Sequence, residues 1–255
     1  MNFFNGSVFW NTCLSIRCFC FILLFTCCRP CSSNEMNDVS QPSLHNHNIP
    51  NNSWTFGICT DGKTNVHFHQ QIISSIRALE IPCFEIIFAT EATDFNISEP
   101  NVRVLLVQPT LPAHITLKKN KIAEAALYPN LCMLHDYIML DKNWFKEFNV
   151  FGYDWTVCSS PVVMPTCERF NWDWCTWRGP RGHCSAPYDR PVDQDNYVPG
   201  MYFCVKKEFL LQYPFDEKLS WMCGEDIEWS SRICNYWNYV FNPNAVVKTL
   251  KMKYY

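Results

Sequence analysis

The sequence has no cluster of lysine and arginine. Its 255 residues carry 21 basic and 24 acidic side chains for a formal net charge of −3, and the basic ones are scattered. That leaves no positive field for a polyanion and excludes nucleic acid as a partner. Nor is there an uninterrupted apolar stretch of roughly 20 residues, the length a membrane-spanning helix needs. The apolar run from Cys18 to Cys28, with Arg17 before it and Arg29-Pro30 after it, suits the centre of a secretory signal instead. A retained anchor requires the span to begin near Val8 and to tolerate Asn11 and Arg17. Residues 1–31 are therefore expected to be a signal peptide or signal anchor that sends the chain into the secretory pathway, with a membrane tether in the second case. No internal repeat is visible.

Residues 32–53 have almost no large apolar side chains and are rich in Asn, Ser and Pro, so they read as a disordered stem or linker. Asn51-Asn52-Ser53 and Asn96-Ile97-Ser98 fit the N-glycosylation acceptor pattern. What remains, 54–255, has a size that one α/β domain fills, and a hydrophobic fraction of 48% supplies its core. There are 16 cysteines. Cys158, Cys167, Cys175 and Cys184 lack the close pair spacing of a zinc site, but an oxidising lumen would let them staple a loop. Cys59, Cys83 and Cys132 sit inside apolar runs and read as small core residues.

Buried strands are predicted at Trp54 to Cys59, Cys83 to Ala89, Val102 to Val107, Leu131 to Leu134, Trp155 to Cys158 and Tyr197 to Val205. Between the first two, Ile72, Ile73, Ile76 and Leu79 fall on one helical face that Pro82 ends. Further helices are expected at Lys119 to Leu127, Trp144 to Phe148 and Lys206 to Leu211. Strands apolar on both sides and alternating with helices imply a mostly parallel, helix-covered sheet. Pro165 to Pro199 breaks the pattern: Trp172, Trp174, Trp177, Tyr188 and Tyr197 stand among Pro, Gly, Arg and Asp, as in a long irregular excursion.

Acid is concentrated in one place. Glu225, Asp226 and Glu228 are bracketed by Trp221 and Trp229 in a chain only 18% charged. Carboxylates in the first turn of a helix suit its macrodipole, and Glu228 is placed to pair with Arg232 one turn later. The alternative is chemical: a carboxylate within reach of a hydroxyl acts as a general base.

Several pieces form an ordered set. Thr60-Asp61-Gly62 follows the first strand, Lys118-Lys119-Asn120 leads a helix, and His135-Asp136-Tyr137 ends the fourth strand. Tyr197-Val198-Pro199-Gly200-Met201-Tyr202 and Gly224-Glu225-Asp226-Ile227-Glu228-Trp229 come next. Over about Trp54 to Phe241 this resembles nucleotide-sugar-dependent glycosyltransferases of the GT-A fold, especially the family 2-like group. The resemblance implies a Rossmann-like α/β domain that moves a sugar from a nucleoside diphosphate donor, UDP by default, to a glycan, protein or lipid hydroxyl, with inversion. Asp226 would be the base and Glu225 its neighbour at the acceptor. Thr60, Asp61, Lys119 and Asn120 would bind the donor, and Trp172, Trp174 and Gly200 would meet the acceptor. Asp136 at a strand end, with His135 as a second ligand, would hold Mg²⁺ or Mn²⁺. The chain departs from that group in having one aspartate where the usual metal motif has two, and in opening on Gly57-Ile58-Cys59-Thr60-Asp61. A domain that binds carbohydrate without turnover is the alternative outcome. A cysteine-rich structural protein would not explain acidic motifs at strand ends.

Overall fold

The computed structural model describes residues 49–177 and 182–252. The signal or anchor expected at 1–31 and most of the stem lie outside the described residues. The folded part begins slightly before Trp54, because Ser53 is buried and the carbonyls of Asn51 and Ser53 accept hydrogen bonds from Asn130 Nδ2 at 2.6 and 2.8 Å.

The apolar runs become the central strands: β1 (Trp54–Cys59), β2 (Phe84–Thr90), β3 (Val102–Leu106), β4 (Asn130–His135), β6 (Val157–Ser159), β11 (Tyr202–Lys206) and β12 (Tyr239–Phe241). They form one seven-stranded sheet in the order β12-β6-β11-β4-β1-β2-β3. β11 runs antiparallel to both neighbours and the other pairings are parallel. Helices α1 (Val66–Arg77), α2 (Ile115–Ala125), α3 (Trp144–Phe151), α4 (Lys207–Gln212) and α5 (Glu225–Ile233) cover its faces. Short strands β5 (Ile138–Leu140), β7 (Val162–Val163) and β13 (Val247–Thr249) make a second sheet; β8 (Cys175–Trp177), β9 (His183–Ser185) and β10 (Asn196–Tyr197) make a third.

Strand alternation divides the interior in two. Trp54, Phe56, Ile58, Cys132 and Leu134 face α1 and α3, packing with Ile72, Ile76, Trp144 and Phe148. Leu131, Met133, Phe203 and Val205 face the other way, against Ile122 and Ala123 of α2 and Trp229 of α5. At Gly57 a side chain would have to displace its neighbours, since its Cβ would lie 2.4 Å from Ile122 Cγ2. That missing atom lets α2 lie directly on β1.

The helix expected from Lys119 starts at Ile115 instead, so Lys119 and Asn120 occupy its middle and not its amino end. The cause is burial on nearly every side: Thr116, Lys118, Lys119 and Asn120 are all buried, so polar residues there do not mark a solvated start.

The excursion after β7 is more ordered than its composition suggests. Asp173 is fully buried and accepts hydrogen bonds from Val162 N–H at 3.0 Å, from Arg169 Nε at 2.9 Å and from the Tyr188 hydroxyl at 2.5 Å. Arg169 stacks on the Tyr188 ring at 4.0 Å. This network holds the segment, whereas Cys158, Cys167, Cys175 and Cys184 are all free. The bridges expected there are not formed.

Candidate active site

Ligands of open α/β sheets sit at the carboxyl ends of the strands. Here that edge carries a cavity of 290 Å³, lined by His135 and Tyr137 at the end of β4, by Trp172, His183 and Tyr197 from the excursion, by Gly200 just after it, and by Glu225 and Asp226 at the start of α5. Trp221 and Met222, both exposed, form its lip.

Gly224 caps α5 with a left-handed backbone, φ 73°, and turns the chain so that Glu225 and Asp226 open the helix. Ser230, one turn on, accepts the Val198 N–H at 2.9 Å and donates to the Asp226 carbonyl at 2.6 Å. Asp226 Oδ2 accepts the Gly200 N–H at 3.2 Å, and Oδ1 accepts from Ile227 N–H at 2.9 Å. Segment 198–200 and α5 are thereby fixed to each other. Burial pushes the Glu225 carboxyl above its ordinary value, the Lys119 ammonium opposes this, and the charge of Asp226 adds to it. Two adjacent carboxyls in unlike surroundings suit unlike proton tasks. Glu228 pairs with Arg232 at 2.7 Å, as its spacing predicts, and takes no part.

Of the two aromatic acceptor candidates, Trp172 lines the cavity and stacks on His183 with centroids 5.2 Å apart and planes at 22°. Trp174 does not. It is 1% exposed and packs on Tyr239 and Phe241 in the core. His183 Nδ1 lies 2.6 Å from the Tyr197 hydroxyl, which completes a wall of apolar ring faces with polar edges. Such a wall fits a sugar ring.

The donor and metal candidates are placed differently. Asp61 closes its own turn, accepting from Lys63 N–H and Thr64 N–H, both at 2.8 Å, and from the Thr64 hydroxyl. Burial raises its carboxyl, but the Thr64 and Lys63 hydrogen bonds outweigh that and hold it below the usual carboxylate range. Thr60 is buried and donates to Asp136 Oδ2 at 2.7 Å. Asn120 is occupied as well: its Nδ2 donates to Phe215 O at 3.0 Å and Glu217 Oε1 at 2.9 Å, and its Oδ1 accepts Phe215 N–H at 3.0 Å.

Asp136 and His135 point to different places, as alternation along β4 requires. His135 Nδ1 lies 2.8 Å from the Tyr137 hydroxyl at the cavity. Asp136 turns inward, 5% exposed, with Oδ1 accepting from Asn65 Nδ2 at 2.7 Å, Oδ2 from Thr60, and His69 Nε2 4.0 Å away. Burial raises its carboxyl, and the His69, Thr60 and Asn65 contacts lower it by more. The two side chains point apart, so Asp136 and His135 do not fit a shared divalent cation. Among the described residues no group of three His, Cys, Asp or Glu assembles a metal site.

Sequence reasoning did not single out Tyr137, His183, Tyr197 or Met222 as cavity residues. Tyr137 and Tyr197 had a signal, each standing next to a motif residue. His183 and Met222 had none.

No family model matches this chain, and no curated protein sequence does. Its fold is found among solved structures. The crystal structure of GalNAc-T7 with UDP, GalNAc and Mn²⁺ superposes with a TM-score of 0.56 at 15% identity, covering 77% of this chain. The chain spans 43% of that protein's length. The architecture is that of the GT-A fold.

Proposed function

We propose that this chain transfers a sugar from a nucleoside diphosphate donor, UDP by default, to an acceptor hydroxyl at the cavity between β4 and α5. The observation that carries the reading is the meeting of Glu225, Asp226 and the Trp172 wall in one cavity at the carboxyl edge of a GT-A sheet. That solved neighbour holds UDP and GalNAc, which supports a nucleotide-sugar donor.

Asp226 takes the proton of the acceptor hydroxyl. The acceptor oxygen bonds to the anomeric carbon from the opposite face, and the carbon–oxygen bond to the diphosphate breaks, the leaving group departing with the electron pair. Displacement from the back inverts the anomeric centre. Glu225 holds the acceptor, and the Trp172 face packs on a sugar ring. Thr60 and Asp61, at the end of β1, lie on the edge assigned to the donor. Among the described residues Asp136 has no neighbouring carboxylates or imidazoles that complete a cation pocket. The expected secretory location is supported by the Cys18 to Cys28 run and by the acceptor triplets at Asn51 and Asn96.

A second reading, carbohydrate binding without turnover, is favoured by one fact: Asp226 Oδ2 is already in use by the Gly200 N–H. Incubating the full chain with a panel of nucleotide sugars, in Mn²⁺, Mg²⁺ or EDTA, separates the two. Release of nucleoside diphosphate from one donor supports transfer. A folded chain that binds oligosaccharide yet releases none from any donor supports the second reading.

A further inference from the structure

The Lys119 side chain is 1% exposed and its Nζ has no hydrogen-bond partner. An ammonium out of water is unfavourable unless another charge or dipole compensates it. Part of the compensation is visible: Nζ lies over the rings of Phe203 and Phe215, 5.4 and 4.8 Å from their centroids. The rest points to the acid pair. The point that a methyl on Gly200 would occupy is 3.3 Å from Asp226 Oδ2 and 3.4 Å from Lys119 Nζ, so both charges border the space that Gly200 leaves open. Glu225, 7% exposed, has the same ammonium as its largest opposing charge.

Other groups also face this pair. His135, Tyr137, His183 and Tyr197 stand across the cavity, and Cys175 and Tyr197 feel the charge of Asp226. On its own helix Glu228 is neutralised by Arg232. Behind Lys119 lies Cys59, whose thiol burial pushes up to about 11.

We propose that Lys119 is a positioning residue for this site: its ammonium, fixed beneath Gly200, holds the Glu225–Asp226 couple in the charge state in which Asp226 accepts the acceptor's proton. The catalytic consequence rests on the reading of Asp226 as the base. The electrostatic claim does not. It also explains why position 200 is glycine, since a side chain there would wedge the cation and the carboxylate apart.

The test is a ¹³C NMR titration of the Glu225 and Asp226 carboxyls in the full chain, wild type against Lys119→Met and Lys119→Gln, assigned with Glu225→Gln and Asp226→Asn. Both Lys119 variants should move the couple's titration to higher pH in a chain that still melts cooperatively, at a lower temperature where the carboxylates lose their compensating charge. Where a donor is turned over, kcat below neutral pH should fall about tenfold, the acid limb of its pH profile should shift up, and the donor KM should stay the same. Carboxyl titrations that do not move in a folded variant overturn the proposal, whether or not any donor is turned over. Failure of both variants to fold also overturns it, by making Lys119 a purely structural residue. Absence of turnover in wild type with a shifted titration sinks the transferase reading alone.

Discussion

Gly200 donates its backbone N–H to Asp226 Oδ2 at 3.2 Å, and the same glycine leaves open the space between that carboxylate and Lys119. One residue therefore sets both the aim and the electrostatic surroundings of the acid at the start of α5. A methyl there must displace its neighbours by a few tenths of an ångström. Gly200→Ala should lower kcat about tenfold with a small change in melting temperature, because small misplacements of a reacting group are costly. Unchanged kinetics in this variant would show that the approach is incidental.

Ser230 joins α5 to the same segment through Val198 N–H and the Asp226 carbonyl. Ser230→Ala leaves the Val198 N–H without a partner in a buried setting. A loss of about 1–2 kcal/mol in chemical denaturation is expected, together with a raised acceptor KM as the wall around Tyr197 loosens.

Two tryptophans two residues apart should behave oppositely. Trp172→Ala removes a cavity wall and should weaken carbohydrate binding, measured by calorimetry, with modest loss of stability. Trp174→Ala empties a core position packed on Tyr239 and Phe241 and should cost about 3–5 kcal/mol in denaturation. Equal effects of the two on binding would remove Trp172 from the site.

Glu225 gives a pH dependence with a definite sign. Its native value is raised by burial, so the native state holds the proton at pH values where the unfolded chain, near 4.5, has lost it. Stability from this group is unaffected below 4.5, falls as pH rises through the window above it, and levels off beyond the raised native value. Glu225→Gln should raise the melting temperature at neutral pH and flatten that slope. A variant less stable than wild type at pH 7 would contradict the assignment.

Six of the seven central strands were legible as apolar runs, and the meeting of Glu225 with the end of β4 was implied by the resemblance; β12, three residues long, was not read as a strand. The middle of α2 was not, because a helix buried on nearly all sides shows no polar stripe, so Lys119 and Asn120 read as a solvated start. Alternation separated His135 from Asp136. It did not reveal that Asn65 and Thr60, 71 and 76 positions away, would occupy both Asp136 oxygens. Strands of two or three residues such as β8, β9 and β10 have no periodicity to read, and pairing across the excursion creates them.

The central claim is that Asp226 accepts the acceptor's proton. The direct measurement is acceptor-dependent release of nucleoside diphosphate by the full chain, wild type against Asp226→Asn, with melting temperatures taken on the same samples. The amide oxygen can still accept one of the two N–H groups that now share the carboxylate, so the fold should hold while release falls about 100-fold or more. An Asp226→Asn chain that turns over donor at the wild-type rate would contradict the account.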